Sequence, residues 1–249
     1  DVRWQLGDDR GAERYREGHL PGSVYVDLDR ELAAPPSAGG GRHPLPGVEA
    51  LQQAARGWGI DDGDPVVVYD DSGALAAARA WWLLRWGGIA DVWILDGGLG
   101  AWREAGMRIS AGDATPRGGN VTLTGGALPV VGIDEVARGE LLLLDARAAE
   151  RYRGEVEPVD PRPGRIPGAI SAPTTENLAA DGRFRSAGEL RARFAALGAD
   201  TSDVVAYCGS GVNAAHQLAA MEIAGLSGIL YPGSYSQWSN DPDRPVDRG

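Results

Sequence analysis

The chain has one cysteine, Cys208, and its surroundings are those of a reactive group. It ends the apolar, β-branched run Val204-Val205-Ala206-Tyr207 and precedes Gly209-Ser210-Gly211-Val212-Asn213-Ala214, where a helix-like stretch begins. That order puts a sulfur at the carboxyl end of a strand, in a turn whose N–H groups can point inward. The positive end of the next helix lies behind it. Such a site favours a thiolate and can hold an anion beside it. Gly209 and Gly211 let the turn take unusual dihedrals and bring its amides close to the sulfur. The alternative is a buried, inert cysteine, for which a Gly-Ser-Gly setting is poor company.

The elements that would position this turn occur twice. Val66-Val67-Val68-Tyr69-Asp70-Asp71-Ser72-Gly73 and the helical segment after it answer Val204–Gly211 and the helix after it. Upstream, His19-Leu20-Pro21-Gly22-Ser23-Val24 answers Arg165-Ile166-Pro167-Gly168-Ala169-Ile170. Downstream, Ile94-Leu95-Asp96-Gly97-Gly98-Leu99 with Trp102 answers Leu230-Tyr231-Pro232-Gly233-Ser234-Tyr235 with Trp238. Paired landmarks in one order indicate a duplicated domain. We expect an N-terminal copy over 1–108, a Gly/Thr/Ala/Pro-rich linker over 109–126 and a C-terminal copy over 127–249. Short apolar strands alternating with helices predict an α/β fold: in each copy a mostly parallel central sheet flanked by helices on both faces. Ligands of such sheets bind beyond the carboxyl ends of the strands, where Cys208 falls. In the first copy the matching position is Asp70, expected to satisfy backbone donors of its own loop, so only the second copy keeps a nucleophile.

The composition bounds the rest. The chain is 249 residues long, enough for one large or two ordinary domains with a substantial core. No apolar run approaches the roughly 20 residues that span a bilayer, and no signal-peptide pattern opens the chain. It starts Asp1-Val2-Arg3-Trp4, as the end of a strand would, so residues upstream are expected. A single cysteine excludes an intrachain disulfide and a Cys-rich zinc site, and points to a reduced, cytoplasmic setting. His19, His43 and His216 show no metal-ligand spacing, so no metal or cofactor is expected. A net charge of −11 argues against nucleic acid or an anionic membrane as partner.

Together these motifs resemble the tandem rhodanese-type sulfurtransferases over nearly the whole chain. The first half contributes Gly18-His19-Leu20-Pro21-Gly22-Ser23-Val24, Asp27, Gly41-Arg42-His43-Pro44-Leu45-Pro46 and Leu95-Asp96-Gly97-Gly98. The second contributes Leu144-Asp145-Ala146-Arg147, Arg151-Tyr152, Ile166-Pro167-Gly168-Ala169-Ile170, the cysteine turn, and Asn240-Asp241-Pro242-Asp243-Arg244-Pro245-Val246. The resemblance implies a catalytic C-terminal domain, an inactive N-terminal one, and sulfur transfer through a persulfide on Cys208. The turn Cys208-Gly209-Ser210-Gly211-Val212-Asn213-Ala214 is similar to that of 3-mercaptopyruvate sulfurtransferases, except that Asn213 stands where they have threonine. Thiosulfate enzymes carry a basic turn instead.

The family's substrate-binding arginines map onto Arg151 and, nearer the Pro-Gly turn, Arg162. Guanidinium suits the two-pronged recognition of a donor carboxylate. Asp145 and Arg147 are expected to brace the turn, and His216 to pack or face solvent. The implied partners are a small anionic sulfur donor and a thiol or cyanide acceptor, thioredoxin among them. A phosphatase on the same fold is disfavoured, because Ala214 occupies the position where its loop needs arginine. A persulfide carrier without turnover, or a binding module with a vestigial site, is the alternative to an enzyme.

Overall fold

The structure is a computed structural model that describes residues 1–249. The chain divides into two compact units. Unit 1 comprises Asp1–Ala34, Leu45–Leu128 and Asp181–Arg183; unit 2 comprises Pro35–Pro44, Pro129–Ala180 and Phe184–Gly249. Two features depart from the expected boundaries. Residues 109–126, read as a linker, lie within unit 1, where Gly119, Val121 and Thr124 donate backbone hydrogen bonds to Arg56, Ile60 and Gly87. Pro35–Pro44, inside the stretch assigned to the first copy, belongs to unit 2.

Unit 1 contains α1 (Gly11–Glu17), α2 (Leu28–Glu31), α3 (Val48–Gly57), β1 (Val66–Val68), α4 (Ala77–Trp86), β2 (Val92–Ile94) and α5 (Gly98–Glu104). β1 and β2 pair in parallel, and Val2 continues the sheet by bridging Val26 and donating to Tyr69 O at 2.9 Å. Val68 and Val92 are buried, whereas the cross-strand pair Val67 and Trp93 is 57% and 63% exposed. Successive strand side chains alternate between faces, so Val67 and Trp93 project together to the side opposite Val68 and Val92.

Unit 2 contains α6 (Ile133–Ala137), β3 (Leu142–Asp145), α7 (Ala149–Arg153), β4 (Ile170–Ser171), a 3-10 turn (Thr174–Asn177), α8 (Ala187–Ala196), β5 (Val204–Tyr207), α9 (Val212–Ile223), β6 (Ile229–Leu230) and α10 (Ser234–Asn240). Its sheet is all parallel, ordered β4-β3-β5-β6. β5 is buried at every residue, as a central strand between helical layers must be. Leu143, Val205, Tyr207, Tyr231, Tyr235 and Trp238 form the core on one side.

The duplication holds at the level of single hydrogen bonds. Tyr69 and Tyr207, ending equivalent strands, accept at their hydroxyls from the amides of Leu20 (3.0 Å) and Ile166 (3.3 Å). Arg3 grips Asp1 and Gly18 O as Arg147 grips Asp145 and Gly164 O. Leu99 N donates to Asp70 O as Tyr235 N donates to Cys208 O.

The copies diverge at the strand-end turn. Asp70 is fully buried, and its carboxylate accepts from the amides of Ser72, Ala74, Ala76 and Ala77, each at 2.9 Å. Wrapping around that carboxylate delays α4 to Ala77, where the sequence pattern predicts a helix from Ala74. The turn of unit 1 is thus filled by its own anion. Replacing Asp70 with alanine orphans three buried donors and a partly buried one, and is expected to destabilise the protein by about 3 kcal/mol. Thermal unfolding followed by circular dichroism reads this; an unchanged midpoint would mean that other acceptors serve the loop.

Candidate active site

Cys208 follows β5 directly, and its main chain is seated on α10. Its N–H donates to Ser234 Oγ (3.1 Å), its carbonyl accepts from Tyr235 N (3.0 Å), and the Gly209 carbonyl accepts from Ser236 N (2.8 Å). Ser234 adopts a left-handed φ of 52°, rare for a residue with a side chain, and its hydroxyl also donates to Tyr231 O at 2.9 Å. The thiol is 3% exposed, yet its setting is polar: Gly211 N–H points at Sγ from 3.1 Å. Gly211 caps α9 with φ 81°, a conformation open to glycine at no cost. Val212 is buried at the first position of α9, and Asn213 stands half-buried in its first turn. The sulfur accordingly faces both a directed amide and the N-terminus of a twelve-residue helix.

Three side chains converge on this turn. Arg42 and Arg151 lie over Gly209: a Cβ built there would stand 2.8 Å from Arg42 Nη2 and 3.4 Å from Arg151 Nη1. A side chain at 209 would press on Arg42 first and displace its guanidinium. Ser210, likewise buried, shares a 2.6 Å hydrogen bond with His43 Nδ1. Arg42 and His43 come from the Pro35–Pro44 segment, which is anchored by Arg42 N donating to Ser236 Oγ at 3.0 Å.

Behind the arginines runs a chain of alternating charges. Arg147 pairs with Asp145 (2.6 Å) and reaches Glu157 (3.3 Å), its guanidinium stacked 3.9 Å over the Tyr235 ring. Arg151 pairs with Glu157 at 2.6 Å and Asp160 at 3.2 Å, and Asp160 also pairs with Arg42. Burial works against the charged form of Arg147, but Asp145 outweighs it and holds the guanidinium above its ordinary pKa. Burial likewise opposes ionisation of Glu157; the Arg151 guanidinium and the amides of Asp160 and Val159 prevail and hold its carboxyl below the usual range. At Asp160 burial wins and pushes the carboxyl up, although Arg42 and Arg151 pull it down.

The arginines expected to bind substrate part company here. Arg151 faces the cysteine turn. Arg162 does not: its Nε, Nη1 and Nη2 donate to the carbonyls of Ser239, Arg244, Trp238 and Asp241 at 2.5–2.9 Å. Contrary to the substrate-binding role that the resemblance implies, Arg162 caps the C-terminal end of α10, where a cation suits the unpaired carbonyls. Asp145 and Arg147 stand below the turn as a buried brace, 0% and 2% exposed. His216 is buried in α9 and stacks on Phe184 at 4.7 Å, a packing role.

Sequence reasoning missed Arg42, His43, Glu157, Asp160, Ser234 and Ser236. The Gly-Arg-His-Pro motif at 41–44 was the one available signal for the first two. No group of three or more histidine, cysteine, aspartate or glutamate side chains is arranged to hold a metal ion. No helix is long and apolar enough to cross a membrane.

Comparison with known proteins gives the family. The family model described as a rhodanese-like domain matches twice, over residues 1–105 and 133–241. A protein of Mycobacterium tuberculosis named as a thiosulfate sulfurtransferase is 49% identical over 255 residues, covering 100% of this chain and 90% of its own length. A Pseudomonas aeruginosa protein named as a 3-mercaptopyruvate sulfurtransferase is 46% identical over 259 residues, covering 100% of this chain and 91% of its own. The solved structure of 3-mercaptopyruvate sulfurtransferase from Leishmania major superposes with a TM-score of 0.84 at 32% identity, covering 96% of this chain and 69% of that one. With two rhodanese domains in tandem, and a cysteine at the strand-end turn of the second alone, the chain belongs to the rhodanese family of sulfurtransferases.

Proposed function

We propose that this protein moves a sulfane sulfur from 3-mercaptopyruvate, in preference to thiosulfate, to a thiol or cyanide acceptor through a persulfide on Cys208. The observation that carries the reading is the pair of guanidiniums over Gly209, beside the lone thiol. Each offers donors to a carboxylate: Arg42 Nη2 and Arg151 Nη1 face the turn, and the buried Arg42 Nε has no hydrogen-bond partner. The relatives named as mercaptopyruvate and thiosulfate enzymes support the same substrate class. The uncharged Gly209-Ser210 turn suits the mercaptopyruvate monoanion better than a dianion.

The chemistry balances in two steps. The Cys208 thiolate attacks the donor sulfur, the donor's C–S bond breaks, and the electron pair leaves on carbon as the enolate of pyruvate. The donor's thiol proton ends on that carbon, giving pyruvate and a Cys208 persulfide anion. A thiol then takes the outer sulfur as its own persulfide and regenerates the Cys208 thiolate. Ser210 and His43, coupled at 2.6 Å, are the proton carriers within reach of the turn. The Gly211 amide and the α9 N-terminus favour negative charge on sulfur at each stage. Unit 1, with Asp70 in its strand-end turn, supplies no nucleophile to the transfer. A free thiol as nucleophile fits a reducing, cytoplasmic compartment and a dithiol protein such as thioredoxin as acceptor.

Intact mass after incubation with mercaptopyruvate is expected to show one added sulfur, absent in Cys208→Ala. A single sulfur without steady-state turnover would identify a carrier instead of an enzyme. His43→Ala is expected to lower kcat by about a hundredfold with little change in KM; an unaltered kcat removes the His43–Ser210 pair from the chemistry. Arg151→Ala is expected to raise KM for mercaptopyruvate about tenfold or more through loss of a charge-assisted bond. By contrast, Arg162→Ala is expected to lower the thermal midpoint and leave KM within roughly twofold; the reverse pattern would restore Arg162 to the binding site.

A further inference from the structure

The charged groups around the cysteine turn form one connected series: Asp145, Arg147, Glu157, Arg151, Asp160, Arg42. Three guanidiniums meet three carboxylates, so the series is neutral as a whole. Its last carboxylate has a particular position. Asp160 is 7% exposed, and each oxygen serves a different arginine: Oδ1 takes Arg42 Nη1 and Oδ2 takes Arg151 Nη2. Its amide is tied to Glu157 Oε1 at 3.1 Å, so the carboxylate sits on a held backbone. The nitrogens that approach Gly209 include the opposite ones, Arg42 Nη2 and Arg151 Nη1. Asp160 thus holds one nitrogen of each guanidinium, with Glu157 taking Nε and Nη2 of Arg151, and Arg42 Nη2 and Arg151 Nη1 are left toward the space above the turn.

We propose that Asp160 determines donor specificity: it aims Arg42 and Arg151 at a single carboxylate and cancels one of their two positive charges, so that the site accepts a monoanionic donor over a dianionic one. The proposal rests on the sulfurtransferase reading of this site. Mercaptopyruvate brings one carboxylate, which Arg42 Nη2 and Arg151 Nη1 can bind. Thiosulfate carries two negative charges at neutral pH and meets, besides the arginines, the field of a carboxylate directly behind them. Asp160 is a positioning residue in this scheme; it touches the arginines and takes no part in the transfer of sulfur.

The test is the ratio of kcat/KM for thiosulfate to kcat/KM for mercaptopyruvate in the full chain. Asp160→Asn keeps the shape and one acceptor oxygen while removing the charge. The ratio is expected to rise about fivefold or more, through a lower KM for thiosulfate, as one opposing charge is lost from a partly desolvated site. Asp134→Asn makes the same charge change at an exposed position of α6 and is expected to leave the ratio unchanged.

Parallel loss of both activities in Asp160→Asn, or an unmoved ratio, overturns the proposal and leaves Asp160 as a structural anchor. Should that variant fail to fold, the wild-type ratio still decides, because a preference for thiosulfate contradicts the proposed charge selection. Absence of any sulfur transfer by the wild type would instead overturn the sulfurtransferase reading, which separates the two failures.

Discussion

The site depends on a small set of main-chain hydrogen bonds between the cysteine turn and the start of α10. Two carbonyls and one amide of Cys208 and Gly209 are paired there with Ser234, Tyr235 and Ser236. A buried turn cannot leave such groups without partners, because each orphaned group costs as much as a lost hydrogen bond or more. The sulfur is therefore located by the backbone, and the turn itself can consist of small residues that leave room for guanidiniums. α10 in turn is held at its far end by Arg162, which satisfies four carbonyls at once. Ser236 extends the same scaffold by accepting the amide of Arg42. One short helix thus supports Cys208 and one of the cations beside it.

The second constraint is electrostatic. Several ionised side chains are taken out of water around one turn, and each must find opposite charge or hydrogen bonds to offset its desolvation. The alternating series from Asp145 to Arg42 does this, with Tyr235 beneath Arg147 adding a ring face. Such an arrangement fixes the direction of each guanidinium, and direction is what a planar carboxylate recognises. The two copies of the fold show opposite solutions at the same position. In unit 1 the ring of amides closes on the carboxylate of Asp70, an anion built into the chain. In unit 2 the smaller, neutral Gly-Ser-Gly turn instead directs the Gly211 amide at Cys208 Sγ from 3.1 Å.

Much of this was legible before any coordinates. The duplication, the parallel α/β units, the strand-end placement of Cys208 and the αL glycine at Gly211 all follow from short stretches whose preferences agree with one another. Asp70 in the first copy was readable too, because an ionisable residue at a strand end has to meet its hydrogen bonds within its own loop. Arg162 was misplaced for an instructive reason. Near a Pro-Gly turn, an arginine free to bind a ligand and one that caps a helix have the same local pattern; the carbonyls that engage Arg162 lie more than seventy residues further along the chain.

By itself the sequence determined the strand-end place of Cys208, its turn and the repeating frame that holds them, since strand, turn and helix are decided by neighbours a few residues apart. Only the tertiary structure decided which distant groups complete the site. Arg42 meets Asp160 across 118 residues of chain, and His43 meets Ser210 across 167. Those pairings come from the ten-residue segment Pro35–Pro44, which belongs to unit 2, and a charge pair leaves no periodic trace in sequence. Hydrophobic spacing announces which face of an element is buried; it carries no record of which side chain will be waiting there.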